Sequence, residues 1–157
     1  MARPDRHRLA LRYLVSGNIA ALSLAPIAAS ARADGLWEHS CFEAFVRAGP
    51  GPDYAELNFA PSSLWAAYRF DDYRQGMRAA EIAPPRIETR AGGQSYELHA
   101  TLDLDLAGDR DWALNLAAVI ETRAGAKSWW ALAFPPGPPD FHHRDCFALE
   151  LPAASEA

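Results

Sequence analysis

The chain has 157 residues, a formal charge of −5, and a half-hydrophobic composition punctuated by 12 prolines and 10 glycines. Its length suits one domain with a real core, spanning 1–157 with an ordered region of about 9–151 and frayed ends. The acidic balance and the single lysine, Lys127, argue against nucleic-acid binding, which needs clustered Lys and Arg. No uninterrupted apolar run of about 18 residues marks a membrane span.

The N-terminal stretch has two readings. Arg3, Arg6, Arg8 and Arg12 precede an apolar region ending in small residues at 29–33, the layout of a signal peptide. Polar interruptions at Ser16, Gly17, Asn18 and Ser23 speak against it. The preferred reading is a hairpin: Leu9, Leu11, Tyr13 and Val15 alternate, Ser-Gly-Asn turns the chain, and Ile19 to Leu24 returns. Cytoplasmic residence goes with that reading, periplasmic or secreted residence with cleavage. Cys41 and Cys146 fit two reduced thiols in the first case and one disulfide in the second.

Next come three aromatic-rich runs, Cys41–Val46, Tyr54–Phe59 and Trp65–Phe70, separated by Pro/Gly turns at 48–53 and 60–63. They read as an antiparallel meander. Alternate side chains of a strand share a face, so Tyr54, Glu56 and Asn58 lie together and Ala55, Leu57 and Phe59 point the other way. We expect Leu57, Phe59, Tyr68 and Phe70 in the core, with Arg69 joining Glu56 on the polar face. A polar connection, 71–80, leads to short strands at 86–90 and 95–104. Trp112–Glu121 is apolar enough for a buried strand or a short helix, and its flanking turns favour a strand. Ser128–Phe134 and Cys146–Leu151 complete the set around a proline-rich loop at 135–140. Short strands at this spacing predict an all-β fold, an antiparallel β-sandwich of jelly-roll or immunoglobulin-like form.

The segments LWEHSCFEAFV (36–46), YAELNFAPSSLWAAYRFDDYRQGM (54–77), SWWALAFP (128–135) and PDFHHRDCFAL (139–149) together resemble a bacterial family of DOMON-like proteins related to family 9 carbohydrate-binding modules. The resemblance covers about Leu9 to Leu151. It implies a β-sandwich with a ligand site on one concave sheet face and an N-terminal hairpin that belongs to the fold. Its relatives bind sugars or haem, and in the sugar binders two tryptophans clamp the ligand. Fold resemblance alone does not fix function.

A sugar site needs hydrogen-bonding groups and a flat aromatic surface. The candidate set is Glu43, Glu56, Asn58, Arg69, Asn115 and Glu121 for hydroxyls, with Trp37, Trp129 and Trp130 for stacking and His142 nearby. The bland reading of the same groups is a structural network around Arg69 with the tryptophans in the core. The reading carried forward is a non-catalytic, carbohydrate-binding-like module for a small polar ligand, with no cofactor. Alternatives are a haem redox domain using Met77 and a histidine, or a weak glycoside hydrolase using Glu43 and Glu56. His142 and His143 lack standard metal spacing, and a histidine–carboxylate contact is preferred there over zinc. Asp53, Asp71 and Asp72 are candidate ligands for a structural calcium, against simple solvation.

Overall fold

The alternation of these strands becomes two sheets facing each other across a common core in the computed structural model of the chain, which describes residues 1–106 and 109–154. The strands are β1 (Arg8–Ser16), β2 (Ala31–Arg32), β3 (Cys41–Ala48), β4 (Tyr54–Phe59), β5 (Leu64–Phe70), β6 (Arg78–Ala79), β7 (Arg86–Ala91), β8 (Ser95–Asp103), β9 (Trp112–Glu121), β10 (Lys127–Ala131) and β11 (Leu149–Leu151). Short 3-10 turns lie at Ile19–Ala21, Leu36–Glu38 and Arg144–Cys146. The small sheet runs β1-β8-β7 and the large one β10-β9-β3-β4-β5-β2. All pairings are antiparallel except β2 with β5. The expected β-sandwich is therefore present, with Trp112–Glu121 a strand paired with β3 from Trp112 to Val119.

The large sheet's borders are each assembled from two short strands. β10 and β11 pair with different halves of β9, and β2 and β6 pair with different halves of β5. The core between the sheets takes Leu9 and Leu11 from β1, Phe42, Ala44 and Val46 from β3, Leu57 and Phe59 from β4, Leu98 and Ala100 from β8, and Trp112 and Leu114 from β9. Leu9, Leu57, Leu98 and Leu114 are wholly buried, each worth about 1.5–3 kcal/mol relative to exposure.

Three sequence expectations change. The N-terminal strand forms, but not as a hairpin with 19–24. β1 pairs along its whole length with β8, Arg8 opposite Asp103 and Ser16 opposite Ser95. Leaving β1, Gly17 N–H donates to the Gln94 carbonyl (3.0 Å), and Leu22 forms its isolated bridge with Thr122. The apolar side chains of β1 are better buried against a long central strand than by the short segment 19–24, of which Ile19 alone is fully buried. The strand expected over 128–134 stops at Ala131, ahead of the proline loop, and Cys146 falls in a 3-10 turn before β11.

The third change concerns which residues share a face. The turn at 60–63 closes with Ala60 N–H to the Leu64 carbonyl (2.9 Å) and Ser63 N–H to the Ala60 carbonyl (3.0 Å). This sets Phe59 opposite Trp65, Glu56 opposite Tyr68, and Ala55 opposite Arg69. A one-residue difference in register moves every side chain to the other face. Tyr68 and Phe70 are thus buried, but on the outer face beside Glu56, whereas Arg69 stands on the Leu57 side, its Nη1 near the Asp105 carbonyl (3.5 Å). On that outer face Phe45, Tyr54, Tyr68, Phe70, Val119 and Phe141 form a second apolar cluster. It is buried because the chain after β10 folds back over the sheet.

Candidate binding site

A cleft of about 360 Å³ opens on the outer face of the large sheet. Glu43 (β3) and Glu56 (β4) stand in it, and Phe70 and Val119 line it from β5 and β9. Trp37, on the 3-10 turn that crosses β3, β4 and β5, and Trp129 on β10 add exposed indoles, 40% and 47% accessible. Phe141 and His142 from the returning loop, with Arg74 and Met77 from the segment after β5, complete the lining.

Two anchors hold the loop over the sheet. Asn115, fully buried on β9, donates from Nδ2 to the Phe141 carbonyl (3.0 Å) and accepts at Oδ1 from Leu132 N–H (3.4 Å), so one amide ties both ends of the crossing. Asp140 accepts from Arg74 Nη2 (2.8 Å), from the Tyr73 hydroxyl and from His142 N–H (3.1 Å), joining the loop to the turn at 71–76. Its carbonyl accepts from the Cys146 thiol (3.1 Å). Cys146 and Cys41 are both buried free thiols.

The acidic pair sits deepest. Glu43 lies opposite Asn58 in the β3–β4 ladder, which makes it the diagonal neighbour of Glu56, within reach of a long side chain. Glu43 and Glu56 are only 2% and 5% exposed. Asn58 Nδ2 donates to Glu56 Oε1 (3.2 Å), and His142 Nε2 stands 3.5 Å from Glu56 Oε2. At its other nitrogen His142 meets the Tyr54 hydroxyl (2.7 Å), which also accepts from Arg74 N–H (3.1 Å). With that hydroxyl donating to Nδ1, the ring proton lies on Nε2 and points to the carboxylate. Burial pushes the Glu43 carboxyl well up, helped by the Glu56 charge and a side-chain hydrogen bond between the two acids. Burial likewise raises Glu56 to about 7 against the hydrogen bonds it accepts. Burial, with Arg74 nearby, lowers His142 to about 4. At neutral pH the cleft therefore holds a neutral His142 and a partly ionised Glu56, with Glu43 biased toward its protonated form.

Of the ten residues expected at the site, Trp37, Glu43, Glu56, Trp129 and His142 line the cleft. Asn58 orients Glu56, and Asn115 pins the loop. Three lie elsewhere. Arg69 is on the other face for the register reason above. Trp130 follows Trp129 on one strand and so points oppositely, into a groove with Leu116 and Ala118, its Nε1–H donating to Ser128 Oγ (2.9 Å). Glu121 sits at the end of β9 with its Oε2 against His39 Nδ1 (2.7 Å). Sequence reasoning missed Arg74, Phe70 and Phe141 as lining residues. Only the Pro-Asp-Phe-His-His segment, rich in site-type side chains, marked the loop in advance.

Among the described residues no three of His, Cys, Asp or Glu gather around a common point. Asp71 is paired with Arg78 (2.8 Å), and Asp72 accepts from Tyr73 N–H (2.7 Å). Met77 and His142 share the cleft, but both ring nitrogens of His142 face protein groups, so the residues do not fit an axial haem pair. His143 caps the 3-10 turn by accepting from Asp145 N–H (3.1 Å). Among the described residues no helix is long and apolar enough to cross a membrane. Compared with family models, with characterised proteins and with solved structures, the chain matches none.

Proposed function

We propose that this chain is a non-catalytic binding module that takes a small hydroxyl-rich ligand, of carbohydrate class, into the cleft on the large sheet. The observation that carries the reading is the buried Glu43–Glu56 pair set between two exposed tryptophans, Trp37 and Trp129. Mostly apolar walls with a few convergent polar groups are the usual make-up of a small-molecule site. A carboxyl biased toward its protonated form beside a partly ionised one offers both a donor and acceptors to hydroxyls, and the indoles offer flat faces to a sugar ring. The placement, on one face of a sandwich sheet, agrees with the likeness to DOMON-like and family 9 carbohydrate-binding proteins, and we read the sandwich as that type.

Hydrolysis fits less well. Glu43 and Glu56 are diagonal neighbours on adjacent strands and are only 2% and 5% exposed, which leaves a scissile bond little room between them. The test is a glycan array with the purified chain, followed by calorimetry on any hit. Trp129→Ala should abolish binding without moving the melting temperature, and Trp130→Ala should leave binding intact. Equal effects from the two tryptophans would remove the cleft from the explanation.

A further inference from the structure

The electrostatics of the same cleft narrow the ligand further. Two carboxyls are buried there, and the cationic side chain on the wall is already committed: Arg74 bonds Asp140 at 2.8 Å and reaches Tyr73 as well. The groups facing the acids from each packed element are Asn58 and Tyr54 from β4, Tyr68 from β5, Arg74 from the turn after it, and His142 and Asp140 from the loop. Asn58, Tyr54 and Tyr68 bring no charge. His142 receives a hydrogen bond from Tyr54 at one nitrogen and offers a neutral N–H at the other. Glu43 Oε2, inside the protein, has no hydrogen-bond partner. When Glu56 ionises, Arg74 stabilises it through space, but the guanidinium itself is bonded to Asp140. A buried charge without a cation bonded to it is costly, and a hydroxyl or water brings no countercharge.

The walls answer that deficit. Trp37, Trp129, Phe70 and Phe141 surround the acids with aromatic faces and edges. Aromatic faces attract a cation that approaches within about 6 Å of the ring centre, most strongly where water is excluded. An aromatic enclosure over a carboxylate floor is the arrangement that holds an alkylammonium group.

We propose that the ligand of this cleft carries an ammonium group, seated on Glu56 and Glu43 and enclosed by the four aromatic rings. The inference rests on the reading of the cleft as a ligand site and specifies its chemistry: an amino sugar rather than its neutral parent. The amine brings donors and a positive charge directly onto the acids, where Arg74 acts only through space from its bond to Asp140.

Isothermal titration of the full chain at about pH 7.5 tests this with 6-amino-6-deoxy-D-glucose, D-glucose and ethanolamine, the amines being charged there. The amino sugar should bind roughly tenfold or more tightly than glucose, and its affinity should fall as sodium chloride is raised. In Glu56→Gln that preference should collapse, with melting retained as the check on folding. If the variant does not fold, the salt dependence on the unaltered chain still decides. Glucose binding as well as the amino sugar, or a salt-independent preference, would overturn the ammonium proposal while leaving the carbohydrate reading in place. Binding of ethanolamine and the amino sugar with no response to any neutral sugar would do the reverse. Absence of binding by all three would overturn both.

Discussion

Glu56 and His142 face each other across 3.5 Å with protonation displaced in opposite directions, and this gives the fold a defined pH response. Glu56 is raised from 4.5 to about 7, and Glu43 is raised well above the same starting value. From about pH 4.5 upward the folded chain keeps protons on both acids that the unfolded chain has released. Each then costs stability as pH rises, at about 1.4 kcal/mol per pH unit. His142 is lowered from 6.5 to about 4. Below about pH 6.5 the unfolded chain takes up a proton there that the folded chain refuses, so this group adds stability as pH rises, with the same slope and opposite sign. Between pH 4.5 and 6.5 Glu56 and His142 oppose each other, and Glu43 tips the balance, so stability should fall as the pH is raised across that window. Glu56→Gln removes one of the falling contributions, and the profile should flatten. His142→Asn leaves both acids unopposed, and the fall should steepen. Urea unfolding of the three proteins at several pH values in this range measures the slopes. Three parallel profiles, or an unaltered chain whose stability climbs with pH throughout, would refute the assignment of burial as the controlling effect.

Two further expectations follow from the register of the meander. Leu57, wholly buried between the sheets, should cost about 2–5 kcal/mol when replaced by Ala, read by denaturant unfolding; a change below about 1 kcal/mol would mean that the β4 faces are reversed. Arg69→Ala should alter stability by no more than about 1 kcal/mol and leave ligand binding unchanged, since its side chain is on the other face and meets only a carbonyl. Loss of binding in that variant, measured by the same titration, would return Arg69 to the site.

What the sequence discloses here divides along a physical line. Alternation within a strand is local, and it correctly separated Glu56 and Asn58 from Leu57 and Phe59. Parity between strands depends on the turn that joins them, and the Ala-Pro-Ser-Ser turn does not announce how Glu56 will face Tyr68. That gap misplaced Arg69 and assigned Tyr68 and Phe70 to the wrong side of their sheet. The pairing of β1 with β8, 79 to 95 positions apart, is likewise decided by which surface buries Leu9 and Leu11 best, a property of the assembled sandwich. The cleft itself was half legible. Its acidic floor and Trp129 lie on strands, whereas Arg74 comes from the turn after β5 and Phe141, His142 and the Asp140 clamp from a loop crossing that no periodicity encodes.

The divided borders of the large sheet bear on how this protein behaves at high concentration. A long, flat strand edge with unsatisfied backbone groups invites another chain to add to it, the first step toward fibrils. Here each border of the large sheet is split between two strands of two to five residues. A newcomer finds only short interrupted templates, one of them carrying Lys127 and followed by the prolines of the loop. The outer strands of the small sheet are longer and carry charge instead: β7 has Arg86, Glu88 and Arg90, and β1 has Arg8 and Arg12. A sandwich so rich in β-forming and aromatic residues thus guards itself against runaway polymerisation through the brevity and charge of its margins.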